Sequence, residues 1–293
     1  MAATAATAHP LAQAKEAAEA GAKAVRLSAG GLKLRLASAF VLMPLAVAAV
    51  WYDGWYLAAL VAVAAAGMAR EWARLSGAAT ALLRACVIAT ALIAVILAAL
   101  GAPLAALLFT VAAALALAAL AVAARAPAPL WTMAGTLWLS IPCIAMVWIG
   151  TGGEGRLLLL WLLAVVWASD AGAYAVGRTL GGPRLAPVLS PNKTWSGALG
   201  GLVCAGITGL AAALLVGAAP SGMVALSLGL SLLAQFGDMV ESLAKRRFGV
   251  KDSGTLIPGH GGLLDRLDSL LTATAGLGAL LLAGWGPVFA AHP

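Results

Sequence analysis

Acidic and basic residues are concentrated in one stretch near the C-terminus, residues 238–268. If the apolar segment before this stretch continues as a helix, Asp238, Glu241 and Lys245 recur at helical spacing and share one face with Ser242. That face is acidic near the apolar segment and basic farther along, so it brings possible metal ligands close to phosphate-binding groups. A simple ion pair between Glu241 and Lys245 is the alternative for those two residues.

A glycine-rich turn, residues 258–262, leads directly into two more carboxylates, Asp265 and Asp268. Because they stand three residues apart at the start of a helix, we expect both side chains to point the same way. Carboxylates suit Mg²⁺, which takes its remaining ligands from water and substrate phosphates. Neighbouring cations would bind those phosphates, and acids for a metal beside bases for phosphate indicate nucleotide chemistry. The alternative is that the basic run only anchors a loop to anionic lipid. These cations are Lys245, Arg246, Arg247, Lys251 and Arg266.

A second polar stretch covers residues 170–193. Asp170 follows a long apolar run, where an ionised carboxylate is costly and usually has a function, a helix–helix hydrogen bond being the alternative. Ser190 and Pro191 are typical of a helix cap and helix start, whereas Lys193 is better placed to bind an anion. The two polar stretches therefore hold the candidate chemistry.

The rest of the sequence, which must position these residues, is strongly apolar. The chain is 63% hydrophobic and only 10% charged, with a mean hydropathy of +1.00. Such a composition excludes a water-soluble globular protein and a disordered chain. The basic isoelectric point of about 9.8 does not indicate nucleic-acid binding, because no soluble basic face or aromatic-basic module accompanies it. A polytopic membrane protein is predicted.

We expect the fold to be all-α with about nine transmembrane helices, since about 20 apolar residues cross the hydrocarbon core as a helix. The apolar segments lack the alternation of barrel strands. Turn residues at 101–103 and 218–222 divide the longest segments. The predicted spans are Leu36–Tyr52, Trp55–Ala69, Ala85–Leu100, Leu104–Ala124, Leu130–Gly150, Leu157–Val176, Ser196–Gly217, Met223–Gly237 and Leu270–Ala290.

Positive charge predicts the orientation of these spans. In the nine-span arrangement, Arg156 alone lies on one side, and the other 17 of the 18 Lys and Arg residues lie opposite. Cytoplasmic loops retain positive charge, so the N-terminus is predicted to be cytoplasmic and the C-terminus outside. Both polar stretches then face the cytoplasm.

The chain is divided accordingly into three regions. Residues 1–35 are expected to form a cytoplasmic tail or surface helix, because they lack the apolar core of a signal peptide. Residues 36–150 form the N-terminal membrane helices. Residues 151–293 are expected to form the C-terminal membrane region that holds the candidate chemistry, with cytoplasmic loops at 177–195 and 239–268. The cysteines, Cys86, Cys143 and Cys204, have no metal-site spacing.

The polar stretches resemble the phosphatidate cytidylyltransferase family, also called CDP-diacylglycerol synthases. The C-terminal stretch matches as Ser242-x₂-Lys245-Arg246-x₄-Lys251-Asp252-x-Gly254-x₂-Ile257-Pro258-x-His260-Gly261-Gly262-Leu263-x-Asp265-Arg266-Leu267-Asp268. The upstream stretch matches as Asp170-x-Gly172-Ala173-Tyr174-x₂-Gly177-Arg178 and Ser190-Pro191-Asn192-Lys193-Thr194-Trp195. The chain departs from the family pattern at Ala244 and Ser196.

The resemblance implies transfer of the cytidylyl group of CTP to phosphatidic acid, giving CDP-diacylglycerol and pyrophosphate for phospholipid synthesis. It also implies a homodimer in the inner membrane that uses Mg²⁺, either as two divalent ions or beside a monovalent cation. The implied metal ligands are Asp170, Asp238, Asp265 and Asp268. The implied catalytic residues are Asp238, Asp265, Lys245 and Arg266. The implied substrate-binding residues are Ser190, Lys193, Thr194, Arg246, Lys251, His260, Gly261 and Gly262.

Two other functions are compatible with parts of this pattern. A CTP-dependent lipid-alcohol kinase would also use a membrane-embedded nucleotide site, but the whole motif from Ser242 to Asp268 is closer to the cytidylyltransferases. A transporter would place its buried acids near the bilayer midplane, whereas these acids cluster at the ends of predicted spans.

Because they cluster at the ends of predicted spans, we expect Asp170, Asp238 and Asp265 to enclose a polar cavity at headgroup depth that opens sideways to lipid.

Overall fold

The computed structural model describes residues 40–52, 54–78, 80–256 and 261–285. The predicted N-terminal tail, residues 1–35, and the predicted substrate-binding residue His260 lie outside the described residues.

Helices dominate the described chain, and their bounds follow the apolar segments. Most begin at turn residues, with Pro at the first position of three of them, where its missing N–H leaves no helical bond unmade. In chain order they are α1 (Phe40–Tyr52), α2 (Gly54–Leu75), α3 (Ala81–Ala99), α4 (Pro103–Ala123), α5 (Pro129–Gly150), α6 (Gly155–Leu180), α7 (Trp195–Val216), α8 (Pro220–Arg247) and α9 (Leu264–Leu282).

The prediction of a helical polytopic membrane protein is confirmed. Among the residues that the structure describes, seven helices, α2 to α8, are long and apolar enough to cross a membrane. The described part of α1 is shorter, and α9 carries Asp265, Arg266 and Asp268 in its first two turns. The total of nine crossings therefore stays a prediction.

The two predicted cytoplasmic loops are more ordered than the sequence indicated. Helix α6 continues to Leu180, and two short antiparallel strands follow, β1 (Arg184–Ala186) and β2 (Ser190–Thr194). Helix α8 continues to Arg247, so residues 239–247 are helical and the loop between α8 and α9 is shorter than 239–268. The helices extend past the start of each predicted loop because apolar character ends before the backbone hydrogen bonding of each helix does. That both segments face the cytoplasm stays a prediction.

Glycines let α6 and α7 pack closely. A Cβ atom on Gly172 would lie 2.5 Å from Cys204 Sγ, and one on Gly200 would lie 2.5 Å from Val176 Cβ. Small residues at such positions are the usual means by which membrane helices approach each other. This contact fixes the C-terminal half of α6, which carries Asp170.

Hydrogen-bonded polar residues join α8 to α6 and α7 farther into the bundle. The hydroxyls of Ser169 and Ser231 are 2.7 Å apart, and Gln235 Nε2 donates to the Ala198 carbonyl at 3.2 Å. Polar groups in a membrane protein need such internal partners because lipid offers none. They hold α6, α7 and α8 together just below the candidate site.

Candidate active site

The two polar stretches of the sequence meet at one end of the helix bundle. Lys193 on β2 forms an ion pair with Asp238 on α8, with Nζ and Oδ2 2.5 Å apart. Arg246 Nε donates a hydrogen bond to the Leu189 carbonyl between the strands, at 3.2 Å. The β1–β2 hairpin is thus tied to α8 at two points, and the site forms between the hairpin, α8 and the start of α9.

Three carboxylates converge at the centre of this end. Asp238 and Glu241 on α8 and Asp268 on α9 each present an oxygen, and these oxygens lie within 4.8 Å of one another. Asp170 on α6 lies close enough for its charge to interact with that of Asp238. Glu241 Oε1 is buried and has no hydrogen-bond partner among the residues described. We call Asp238, Glu241 and Asp268 the carboxylate cluster.

Lys245 stands one helical turn after Glu241 and connects the cluster to the α9 start. Its Nζ lies 2.6 Å from Glu241 Oε2 and 2.8 Å from Asp265 Oδ1. The ion pair that the helical spacing allowed between Glu241 and Lys245 is therefore present, and it is shared with a second acid. The attraction between these opposite charges offsets part of the free energy that they lose when they are removed from water.

Asp265 has a different environment from Asp268, although both lie near the start of α9. Its carboxylate accepts backbone hydrogen bonds from Ser253 at 2.9 Å and Gly262 at 2.8 Å, in addition to the lysine contact. These partners bind the α8–α9 loop to the helix start. The structure thus places Asp238 and Asp268 together and turns Asp265 toward the loop.

The other predicted residues are spread around the cluster. Thr194 caps α7, because its hydroxyl accepts the Gly197 N–H at 3.1 Å, and Ser190 begins β2. Arg266 is exposed on α9, and its charge interacts with that of Asp170. The remaining ones border the α8–α9 loop: Lys251 is exposed, Gly261 is half-buried and Gly262 is buried.

Glu71, near the end of α2, is a site residue that the sequence interpretation missed. Its side chain is only 3% exposed, and its two carboxylate oxygens accept the N–H groups of Leu263 and Leu264, both at 2.9 Å. It therefore caps α9 from another helix, where a negative charge is favoured by the exposed N–H groups of the first turn.

Two glycines of the α8–α9 loop, Gly254 and Gly262, lie so close to the Glu71 cap that neither position has space for a side chain. A Cβ atom on Gly254 would lie 2.4 Å from Glu71 Oε1, and one on Gly262 would lie 2.1 Å from Ser253 Oγ. These two glycines are part of the motif quoted above, and close approach to the cap explains them. One signal for Glu71 was available, because it is the only acidic residue between positions 54 and 153.

Comparison with known proteins finds sequence relatives of one kind among those compared. A phosphatidate cytidylyltransferase of Brucella suis is 48% identical over 163 residues, which cover 55% of this chain and 58% of that protein. A phosphatidate cytidylyltransferase of Staphylococcus saprophyticus is 45% identical over 147 residues, 47% of this chain and 56% of that protein. One from Staphylococcus aureus is 45% identical over 139 residues, 47% of this chain and 54% of that protein.

The chain thus aligns with somewhat more than half the length of these relatives. The sequence profile of the cytidylyltransferase family matches much more of it, residues 33–283. This range includes every described helix and all the residues of the candidate site. The chain belongs to the cytidylyltransferase family.

Proposed function

We propose that this protein transfers the cytidylyl group of CTP to phosphatidic acid, producing CDP-diacylglycerol and pyrophosphate. Family membership and the names of the relatives support the reaction class. The observation that carries the proposal is the carboxylate cluster, bordered by Lys193 and Lys245 at one end of a membrane-helix bundle. This arrangement suits a reaction between a charged nucleotide and a lipid phosphate.

The chemistry requires positioning and charge neutralisation more than a general base. A phosphatidate oxygen is already anionic at neutral pH, so it can attack the α-phosphorus of CTP directly. The new oxygen–phosphorus bond forms as the bond from the α-phosphorus to the pyrophosphate oxygen breaks. Cationic side chains that hold both phosphates in line reduce their repulsion and fix the geometry of attack.

The lysines are suited to that role because they already bind anionic oxygen. Lys193 and Lys245 pair with carboxylates at 2.5 to 2.8 Å, and a triphosphate offers them oxygens of the same charge. Arg246, Arg266 and Lys251 stand farther out and would contact the phosphates at the rim. The backbone of Gly261 can approach a phosphate closely because no Cβ intervenes, whereas Gly262 is buried and donates its N–H to Asp265.

The donor set fits Mg²⁺, which we propose as the cofactor. Three clustered carboxylates are hard oxygen ligands, and the buried Glu241 Oε1 lacks a donor among the described residues. Asp238, Glu241 and Asp268 would hold the ion, with Asp170 beside them; Asp265 stays a candidate ligand from the resemblance. A bound Mg²⁺ would neutralise phosphate charge, and a second divalent ion or a monovalent cation would assist.

Product analysis tests the reaction. Purified protein is incubated with CTP labelled at the α-phosphorus and Mg²⁺, in one reaction with phosphatidate and in a second with a polyprenol, and the lipid is then extracted. Labelled CDP-lipid and one equivalent of pyrophosphate are expected. Release of CDP together with a newly phosphorylated lipid alcohol would instead establish the kinase reaction, and unchanged CTP would contradict both.

Mg²⁺ binding can be measured without turnover. We expect Mg²⁺ to raise the thermal unfolding midpoint of the purified protein, because a ligand that binds only the folded state stabilises it. Asp238→Asn should remove most of that increase. An equal increase in both proteins would contradict metal binding by the carboxylate cluster.

We further propose that the protein is a homodimer in the inner membrane, with its active site facing the cytoplasm. The positive charge on one side of the predicted spans supports the orientation, and the family resemblance supports the dimer. Mass measurement of the purified protein in native detergent micelles tests the dimer. A single protomer mass at all protein concentrations would contradict it.

A further inference from the structure

An apolar cavity of about 270 Å³ lies between α1, α2, α5, α6 and α9. It is partly open, because Leu42, Met43 and Leu45 in its wall are 41–48% exposed. Apolar cavities do not hold water well, because water there lacks hydrogen-bond partners. An apolar occupant therefore suits this cavity. Its walls include Leu45, Leu60, Ala64, Met146 and Leu163.

The cavity has the length of a lipid chain in one leaflet. Its α2 wall extends from Leu57 to Met68, which is about 16 Å at the helical rise of about 1.5 Å per residue. Half of the roughly 30 Å hydrocarbon core has the same depth. A single extended acyl chain would match it.

The end of the cavity near Met68 reaches the candidate active site. Met68 and its neighbour Gly67 are close to the α9 start, where a Cβ atom on Gly67 would lie 2.8 Å from the Leu263 side chain. Arg266 also lines the cavity, and it alone is charged among the described lining residues. The same arginine interacts electrostatically with Asp170, beside the carboxylate cluster.

These features together select one class of ligand. The cavity offers apolar walls over the depth of a leaflet, and a cation stands at the end next to the site. An anionic phospholipid has the matching arrangement, with acyl chains attached near a charged phosphate. A zwitterionic lipid would bring an additional positive charge toward Arg266, which disfavours it.

We propose that this cavity binds one acyl chain of the phosphatidic acid substrate while Arg266 contacts its phosphate, and that the cavity thereby sets chain-length selectivity. The inference rests on the proposed function. In this arrangement the lipid enters from the side of the helix bundle and only its phosphate reaches the carboxylate cluster. The second acyl chain stays in the bilayer.

A narrowed cavity tests the proposal. Ala64→Trp places a large side chain in the middle of the α2 wall, whereas Val63→Trp places the same side chain on the outer surface, where Val63 is 71% exposed. Each purified variant is assayed in detergent with dioctanoyl and with dipalmitoyl phosphatidate. The quantity compared is the ratio of kcat/KM for the long lipid to that for the short lipid.

We expect Ala64→Trp to lower this ratio about tenfold or more, because the long chain no longer fits, and Val63→Trp to leave it unchanged. An unchanged ratio in Ala64→Trp, or an equal fall in both variants, would overturn the proposal. If Ala64→Trp is inactive with both lipids, the smaller change Ala64→Leu provides the same comparison. Absence of CDP-lipid from the unmodified protein with either substrate would instead contradict the proposed function.

Discussion

Individual carboxylates at the site have different roles, and substitutions can separate them. Asp238 belongs to the carboxylate cluster and is partly exposed, so Asp238→Asn should remove a charge from the reaction centre without loosening the fold. We expect turnover to fall about 100-fold or more, with little change in the thermal unfolding midpoint measured without Mg²⁺. CDP-lipid formation and thermal unfolding in detergent measure the two effects.

The matched control is Glu154→Gln, which removes an acidic charge just before α6, at the other end of that helix from Asp170. Activity close to that of the unmodified protein is expected. Near-normal turnover in Asp238→Asn would remove Asp238 from the proposed mechanism.

Asp265 should respond differently because it holds the loop between α8 and α9. Asparagine keeps only one acceptor oxygen, so Asp265→Asn would lose hydrogen bonds from Ser253, Gly262 or Lys245. We expect both a lower unfolding midpoint and lower turnover, since a hydrogen bond to a charged group contributes about 1.5–3 kcal/mol. Loss of turnover with an unchanged midpoint would favour Asp265 as a metal ligand, as the resemblance implies.

Glu71 should affect activity from a distance through α9. Glu71→Gln removes the charge at the helix start and replaces one acceptor of the Leu263 and Leu264 N–H groups with a donor. We expect kcat to fall about tenfold and stability to fall by about 1–3 kcal/mol, with partial recovery in Glu71→Asp. The exposed neighbour Arg70 provides the control Arg70→Gln. Equal effects of the two glutamine variants would exclude a specific cap.

The sequence predicted the acids of the carboxylate cluster better than it predicted their partners. Asp238 and Asp268 belong to one polar stretch, residues 238–268, in which acids and bases are concentrated. Glu71 lies 192 residues before Leu263, and its role depends on how α2 packs against α9. No periodicity within α2 contains that information, since a single glutamate at a helix end is equally typical of a solvated position.

At the level of elements, the close contact of α6 and α7 can be tested with two glycines of α7. A Cβ atom on Gly200 would lie 2.5 Å from Val176 Cβ, whereas one on Gly206 would make only ordinary contacts, at 3.5 Å or more. Gly200→Ala should therefore lower the free energy of unfolding by about 1–3 kcal/mol, because α7 must shift.

Gly206→Ala is the control and should be neutral or slightly stabilising, since alanine favours a helix. Thermal unfolding of both variants in the same detergent provides the comparison. Equal midpoints would show that α6 and α7 tolerate a wider separation than the structure has.

Helix positions were largely predictable because apolar segments and turn residues determine them. The predicted span Leu130–Gly150 differs from α5 by one residue at its start. The β1–β2 hairpin was not predictable in the same way, because Ser190–Thr194 has a polar composition that favours a loop. Its strands are stabilised by each other and by contacts with α8, which sequence periodicity does not record.

The molecule as a whole separates a polar end from an apolar body. The hairpin, the end of α8 and the start of α9 hold nearly all the charged groups of the site, and the apolar cavity descends from them between the helices. A soluble nucleotide and a membrane lipid can therefore reach the same carboxylates from different phases. The side of the membrane on which this end lies decides where CTP must be supplied.

Thiol labelling in intact cells can determine that side. In a variant without Cys86, Cys143 and Cys204, a single cysteine replaces Val188, which is 85% exposed between the two strands. A cysteine in place of Ser253, in the α8–α9 loop at the same end, would be labelled poorly, because Ser253 is buried and its hydroxyl contacts Glu71. A cysteine at exposed Gly153, near Arg156, marks the opposite end of α6.

We expect an impermeant thiol reagent to label the Gly153→Cys variant in intact cells and the Val188→Cys variant only after the membrane is opened. Seventeen of 18 cationic residues lie on the side of Val188 in the nine-span arrangement, and cytoplasmic loops retain such residues. Labelling of Val188→Cys from outside would invert the orientation and place the carboxylate cluster away from the cellular supply of CTP. Labelling of both positions from outside would contradict a membrane crossing by α6, the helix that carries Asp170 to the site.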